Sequence, residues 1–181
     1  MKRIKFAILF VTTFLFVNFV NAQLANSVSV KWYTLKQALE KQQKEPRKIM
    51  IDVYTDWCGW CKKMDANTFT NPVIANYLNE KYYAVKFNAE QKDSIVFQGK
   101  TFINQNPEGV RNPHDLAVAF LQGKMGYPSI VFIDEKSNVL TNVSGYQQPA
   151  GLEPILYFFY KDLHLTTNWE DFQKTFKSEI Q

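Results

Sequence analysis

The chain has 181 residues with 21 basic and 17 acidic side chains, 15 phenylalanines, nine tyrosines and only two cysteines. Three of the basic residues, Lys2, Arg3 and Lys5, lie within Met1–Ala22, so the remainder carries 18 basic against 17 acidic groups, a balance with no electrostatic footprint for nucleic acid. The 159 residues from Gln23 onward suit one domain with a single aromatic-rich core, and no repeat or low-complexity tract interrupts them.

The stretch MKRIKFAILFVTTFLFVNFVNA has a basic start, an apolar run from Phe6 to about Val20 and small residues at its end. This is the pattern of a secretory signal peptide, with cleavage expected after Ala22 and an extracytoplasmic address, periplasm or external medium, for the rest. An uncleaved membrane anchor is the alternative, since the run approaches spanning length, although Thr12, Thr13 and Asn18 weaken it.

From there the pattern alternates. Val30–Thr34 predicts a short strand and Leu35–Lys44 a helix, stopped by Pro46. The run KIMIDVYT, Lys48–Thr55, is apolar on both faces and predicts a central strand of a covered sheet. Helices are expected over Gly59–Asn67 and Pro72–Lys81, the second with proline in its first turn. Tyr82–Asn88 predicts a strand, and Ser94–Ile103 two short strands about Gly99-Lys100. A capped helix over Asn112–Leu121, a strand over Pro128–Asp134 and its hairpin partner over Val139–Ser144 follow. Helices are then expected over Pro149–Leu163 and from Asn168, the latter presenting Trp169, Phe172, Phe176 and Ile180 on one face. The result is an α/β domain: a mixed central sheet, largely parallel with a late antiparallel hairpin, flanked by helices.

Both cysteines fall in DWCGWCKKM, Asp56–Met64. Haem attachment requires histidine after the second cysteine, where Lys62 stands. Zinc requires four ligands, and His114 and His164 are too far off in sequence to complete a set with the pair. A purely structural crosslink over so small a loop would constrain the unfolded chain little. A pair that cycles between dithiol and disulfide fits better, because the motif follows a buried strand and opens a helix. Cys58 at the helix N-terminus gains thiolate character from the free backbone N–H groups, and Cys61, three residues on, lies on the same face within bonding reach. Cys58 is therefore the expected nucleophile and Cys61 the resolving thiol.

Trp57-Cys58-Gly59-Trp60-Cys61-Lys62 at a strand-to-helix junction, followed by Gly126-Tyr127-Pro128 before a later strand, resembles the thioredoxin superfamily, in particular its extracytoplasmic, Dsb-type thiol:disulfide oxidoreductases. The resemblance covers roughly Lys31 to Leu163. It implies a thioredoxin-like fold with Pro128 as a cis-proline facing the disulfide and Tyr127 offering backbone groups to an extended substrate. It also implies that Asp52, six residues before Cys58, is a buried acid of raised pKa that takes the Cys61 proton, and that Lys86 pairs with it. For Pro128 an ordinary strand-opening proline, for Asp52 a solvent-reaching acid and for Lys86 a surface lysine are the bland readings. Trp57 and Trp60 read as a substrate-holding collar or as packing residues.

Two departures from a compact thioredoxin stand out. The residues between the cysteines are Gly59-Trp60 in place of Gly-Pro, and Cys61 and Pro128 are 67 residues apart, which implies an insertion within Glu90–Pro113. The insertion shapes the substrate groove, docks a partner or is decoration; the helix from Asn168 is an additional structural cap. The expected activity is disulfide exchange with thiol or disulfide-bearing protein substrates, without cofactor or metal, in the reducing direction and recharged by a membrane thiol:disulfide electron donor. The alternative is a binding or chaperone-like module holding a static disulfide.

Overall fold

The computed structural model describes residues 28–180, so the expected signal peptide, Met1–Ala22, lies outside the described residues. Its centre is β2, Lys48–Tyr54, of which only Tyr54 escapes full burial. β-branched and apolar side chains on both faces require cover on both sides. Strand β3, Tyr82–Asn88, pairs parallel with β2 in the register Asp52↔Lys86, and the two-residue β1, Trp32–Tyr33, lies parallel on its outer side. On the other flank β6, Ser129–Ile133, runs antiparallel to β2, and β7, Val139–Ser144, antiparallel to β6. The order is β1-β3-β2-β6-β7, the expected mixed sheet with a late antiparallel hairpin.

Alternation along β2 divides the core in two. Ile49, Ile51 and Val53 face one side, where they pack with Tyr83, Val85 and Phe87 of β3, with α1, Leu35–Lys44, and with α4, Asp115–Phe120. Met50 faces the other, against Met64 and Phe69 at the end of α2, Gly59–Asn67, and against Ile74 and Leu78 of α3, Pro72–Lys81. Leu152 and Leu156 of α5, Pro149–Tyr160, complete that layer. Asp52 shares the side of Met50 because residues two apart in a strand point the same way.

The helix starts follow from their caps. Thr34 and Gln37 form a reciprocal capping box on α1, and the Asn71 side chain accepts from Val73 and Ile74 N–H ahead of Pro72 in α3. Several boundaries differ from the sequence pattern. Helix α4 begins three residues later than expected, because His114 rather than Asn112 is its cap: the His114 Nδ1 accepts from Leu116 N–H at 3.1 Å. The Asn112 side chain instead donates to Asn104 Oδ1 at 2.7 Å. The turn of the short hairpin β4, Ile95–Phe97, and β5, Lys100–Phe102, is Gln98-Gly99, both at positive φ as a two-residue hairpin loop demands. Helix α5 ends at Tyr160, a short 3₁₀ turn spans Leu163–Leu165, and α6 covers Trp169–Thr175, leaving Phe176 and Ile180 beyond its last turn.

Candidate active site

Strand β2 ends at Tyr54, and a turn closed by the Cys58 N–H on Thr55 C=O at 3.1 Å delivers the chain into α2. Cys58 is the cap of that helix, its sulfur accepting the Cys61 N–H at 3.0 Å. Cys58 and Cys61 form a disulfide with Cα atoms 5.3 Å apart, as residues three apart on one helix face allow. Cys61 is shut away at 1% exposure and Cys58 shows 6%, so access is one-sided and the outer sulfur is that of Cys58.

On the inner side of α2 a charge network with one buried member, Asp52, runs through Lys86. Its Nζ lies 2.6 Å from Asp52 Oδ2 and also contacts the carboxylate of Asp65, while the rings of Trp32 and Tyr54 each lie 5.0 Å away. Asp52 has no exposed surface, and burial pushes its pKa up to about 6, with Lys86 pulling in the opposite direction. Among the described residues its second oxygen, Oδ1, has no hydrogen-bond partner, an open acceptor where a proton can be received. Lys86 is half-way to solvent, beside a cavity of about 420 Å³ that Asp65, Trp32 and Phe69 also line. Asp65 sits four residues after Cys61, one turn along α2, so the network lies directly under the helix that carries the disulfide.

The outer side is aromatic. Trp57 is 49% and Trp60 56% exposed, on either side of Cys58. Trp57 packs edge-on against Tyr127 with ring centroids 5.9 Å apart, and Trp60 against Tyr146 at 5.4 Å. The Tyr127–Pro128 peptide is cis, the Pro128 C=O accepts from Gly145 N–H at 2.8 Å, and Ser129 Oγ donates to Gly126 C=O at 2.7 Å, which pins both ends of the loop. Among the described residues neither the N–H nor the C=O of Tyr127 is engaged by another backbone group. Residues 18–177 match the family model Thioredox_DsbH, described as a protein of unknown function, DUF255. The chain belongs to the Thioredox_DsbH family.

Other similarities agree with that family's place among Dsb-type thioredoxin-like proteins. Over 115 residues, 62% of this chain, it is 30% identical to the thiol:disulfide interchange protein DsbD of Vibrio vulnificus, a match that spans 16% of DsbD. The DsbD of Pectobacterium atrosepticum is 42% identical over 118 residues, 64% of this chain and 17% of DsbD. Among solved structures, a DsbH oxidoreductase superposes with a TM-score of 0.56 at 18% identity over 80% of this chain and 93% of its own. A thioredoxin from Thermus thermophilus superposes at 0.55 and 18% identity, over 72% and 87%. These two establish the fold as thioredoxin-like.

In this Thioredox_DsbH chain the residues singled out from sequence fall into two groups around the disulfide. Asp52 and Lys86 meet on the β2–β3 side, and Trp57 and Trp60 flank Cys58, with Trp57 packed on Tyr127, the residue before cis Pro128. His114 and His164 are used elsewhere, His114 as the α4 cap and His164 against the rings of Phe158 and Phe159. Asp65 was missed, although an acid one turn after the second cysteine on the same helix is a readable signal. Glu90, Arg111, Lys63 and Tyr146 were missed as partners of the two tryptophans, and nothing local in the sequence announces those contacts.

Proposed function

We propose that this protein is an extracytoplasmic thiol:disulfide oxidoreductase that reduces disulfides of protein substrates through Cys58 and Cys61. The observation that carries the reading is Cys58 as the cap of α2, outermost of a bonded pair, with buried Asp52 paired to the half-buried Lys86 on the adjoining strands. In the reduced state the helix N-terminus and the Cys61 N–H favour the Cys58 thiolate. The thiolate attacks a substrate disulfide, forming a mixed disulfide and releasing one substrate sulfur as a thiol. Cys61, its proton passed to Asp52, then attacks the Cys58 sulfur, releasing the second substrate sulfur and leaving the protein oxidised by two electrons. Tyr127, beside Pro128, would offer its backbone N–H and C=O to an extended substrate, with Trp57 and Trp60 as walls.

A two-electron reductase must be recharged, and a membrane thiol:disulfide electron donor of the DsbD kind fits the export leader expected at Met1–Ala22. One observation favours a second reading, a binding module with a static crosslink: both cysteines are more than nine-tenths buried. Redox titration against dithiothreitol and glutathione, read by thiol alkylation and mass, separates them. A potential near about −270 mV supports the reductase and one near about −120 mV an oxidant, whereas a pair that stays oxidised where thioredoxin is reduced supports the static crosslink. Cys58→Ser is expected to abolish exchange and Cys61→Ser to accumulate mixed disulfides on denaturing non-reducing gels. Wild-type activity in both variants would eliminate catalysis by the pair.

A further inference from the structure

The insertion between β3 and α4 returns to the disulfide. Trp57 Nε1 donates to both carboxylate oxygens of Glu90, at 3.0 and 3.1 Å, and the guanidinium carbon of Arg111 lies 4.6 Å from the centre of the Trp57 ring. Arg111 holds φ at 56°, a left-handed conformation that residues other than glycine rarely adopt. The surrounding loop enforces it: buried Asn104 donates to the carbonyls of Glu90, Gln91 and Asn112 and accepts from the Asn112 amide. Strain kept by a dense hydrogen-bond hub next to a reactive site is a sign that the aimed side chain is used.

A guanidinium lying on an indole occupies its face and leaves its N–H edge open to a carboxylate. Arg111 is exposed and makes no ion pair among the described residues. Trp60, on the other side of Cys58, carries the same arrangement: Lys63 Nζ lies 4.8 Å over its ring and is likewise free of ion pairs among the described residues. The neighbouring acids are engaged, Asp56 by the Asn88 amide at 3.1 Å and Glu90 by the Trp57 indole. Each tryptophan beside the disulfide thus presents an uncommitted cation.

We propose that Arg111, assisted by Lys63, is a specificity determinant that selects substrates carrying a carboxylate beside the cysteine to be attacked. The proposal rests on the exchange reading above and names the substrate class for the same site. The insertion is then a recognition arm, and Glu90 the brace that orients Trp57 and, with it, the plane on which Arg111 stacks.

The test uses the reduced protein and three blocked peptides, each with one cysteine bound to 2-mercaptoethanol as a mixed disulfide and with Glu, Gln or Lys two residues to either side of it. Reaction joins the Cys58 sulfur to the peptide sulfur and releases mercaptoethanol; Cys61 then closes the protein disulfide and releases the peptide thiol. Each rate is divided by the same variant's rate with uncharged 4,4′-dithiodipyridine. At low salt the Glu peptide is expected to outrun the Gln peptide by about three- to fivefold, the size of an exposed charge pair, with the ratio shrinking in salt. Arg111→Gln should bring the ratio towards one, Arg111→Glu should favour the Lys peptide, and Glu90→Gln should increase the preference for Glu. If the Arg111 variants lose the native near-ultraviolet spectrum, Lys63→Gln supplies the same readout from the opposite wall. Equal peptide rates in wild type, or a preference indifferent to Arg111 and Lys63, overturn the proposal. No reaction of the reduced wild type with dithiodipyridine overturns the exchange reading itself and takes this proposal with it.

Discussion

Asp52 is under opposing demands, since the burial that raises its pKa also makes its ionisation costly to the fold. Its carboxylate is fully enclosed, its one ion pair among the described residues is to Lys86, and its pKa is pushed up to about 6 from the ordinary 3.8. An acid with a raised folded pKa holds its proton more tightly in the native than in the unfolded chain. Between about pH 4 and 6 the unfolded chain has released that proton and the native one has not, so this group's contribution to stability falls as pH rises through the window and stays low above it. A rise from 3.8 to about 6 corresponds to about 3 kcal/mol. Asp52→Asn is therefore expected to be more stable than wild type by about that amount in urea melts of the oxidised protein at pH 7, with the advantage fading towards pH 4. A less stable variant at pH 7 would show that the Lys86 pair outweighs desolvation. The same variant is expected to release substrate more slowly at neutral pH and to lose the rate inflection near pH 6. The acid was legible in sequence because a lone Asp inside KIMIDVYT is conspicuous; that Lys86 would join it to Asp65 was not, since the bridge depends on the Asp52↔Lys86 register of β2 and β3.

At the scale of an element, α4 shows how a boundary escapes the sequence. Asn112-Pro113 has the composition of a helix start, asparagine as cap and proline first inside it. The fold uses Asn112 to close the Asn104 hub and hands the cap to His114, whose Nδ1 accepts from Leu116 N–H while its Nε2 donates to Asp93 C=O at 3.0 Å. Only a neutral imidazole can accept with one nitrogen and donate with the other, and burial pushes the His114 pKa below its ordinary value. As pH falls below about 6.5 the unfolded chain takes up a proton that the folded histidine resists, so the stability supplied by the neutral ring is lost on acidification. His114→Ala is expected to cost about 1–2 kcal/mol at pH 7.5, from a lost cap and a stranded carbonyl, with the gap to wild type narrowing at pH 5.5. Urea midpoints at the two pH values measure it; a gap that widens on acidification would contradict the neutral-cap assignment. Type and order of the longer elements were readable because β2, β3 and β6 are continuous apolar runs and α1 and α3 carry their own caps. The hairpin turn was displaced by one residue because Gln98, which has no intrinsic preference for positive φ, accepts it beside Gly99.

Across the whole molecule, what sequence order conceals is which distant residues meet. Trp57 finds Arg111 through the insertion, and Lys48, at the start of a central strand, is buried at 2% exposure because Glu135 and Asp162 reach its ammonium at 2.7 and 2.9 Å. The C-terminal segment is the largest such case. A single amphipathic face was expected from Trp169 to Ile180, yet α6 stops at Thr175 and the chain turns back, so that Ser178 Oγ and Glu179 N–H both donate to the buried Glu153 carboxylate of α5. Phe158 is enclosed by Trp169 and Phe172, whose rings lie 5.2 and 5.0 Å from it, on the α5 side of the sheet. Ending the chain after Thr167 uncovers Phe158 and Glu153 together. Burying one aromatic side chain contributes about 2 kcal/mol, so the shortened protein is expected to melt several degrees lower and to bind an apolar dye. Among the described residues no hydrogen bond, ion pair or aromatic contact joins α6 to Trp57, Trp60, Tyr127 or the disulfide, and the reaction of the reduced pair with dithiodipyridine is expected to persist below the new melting point. A truncated protein that melts as wild type but loses thiol reactivity would reverse this assignment, making the segment part of the site instead of a cap on the α5 layer.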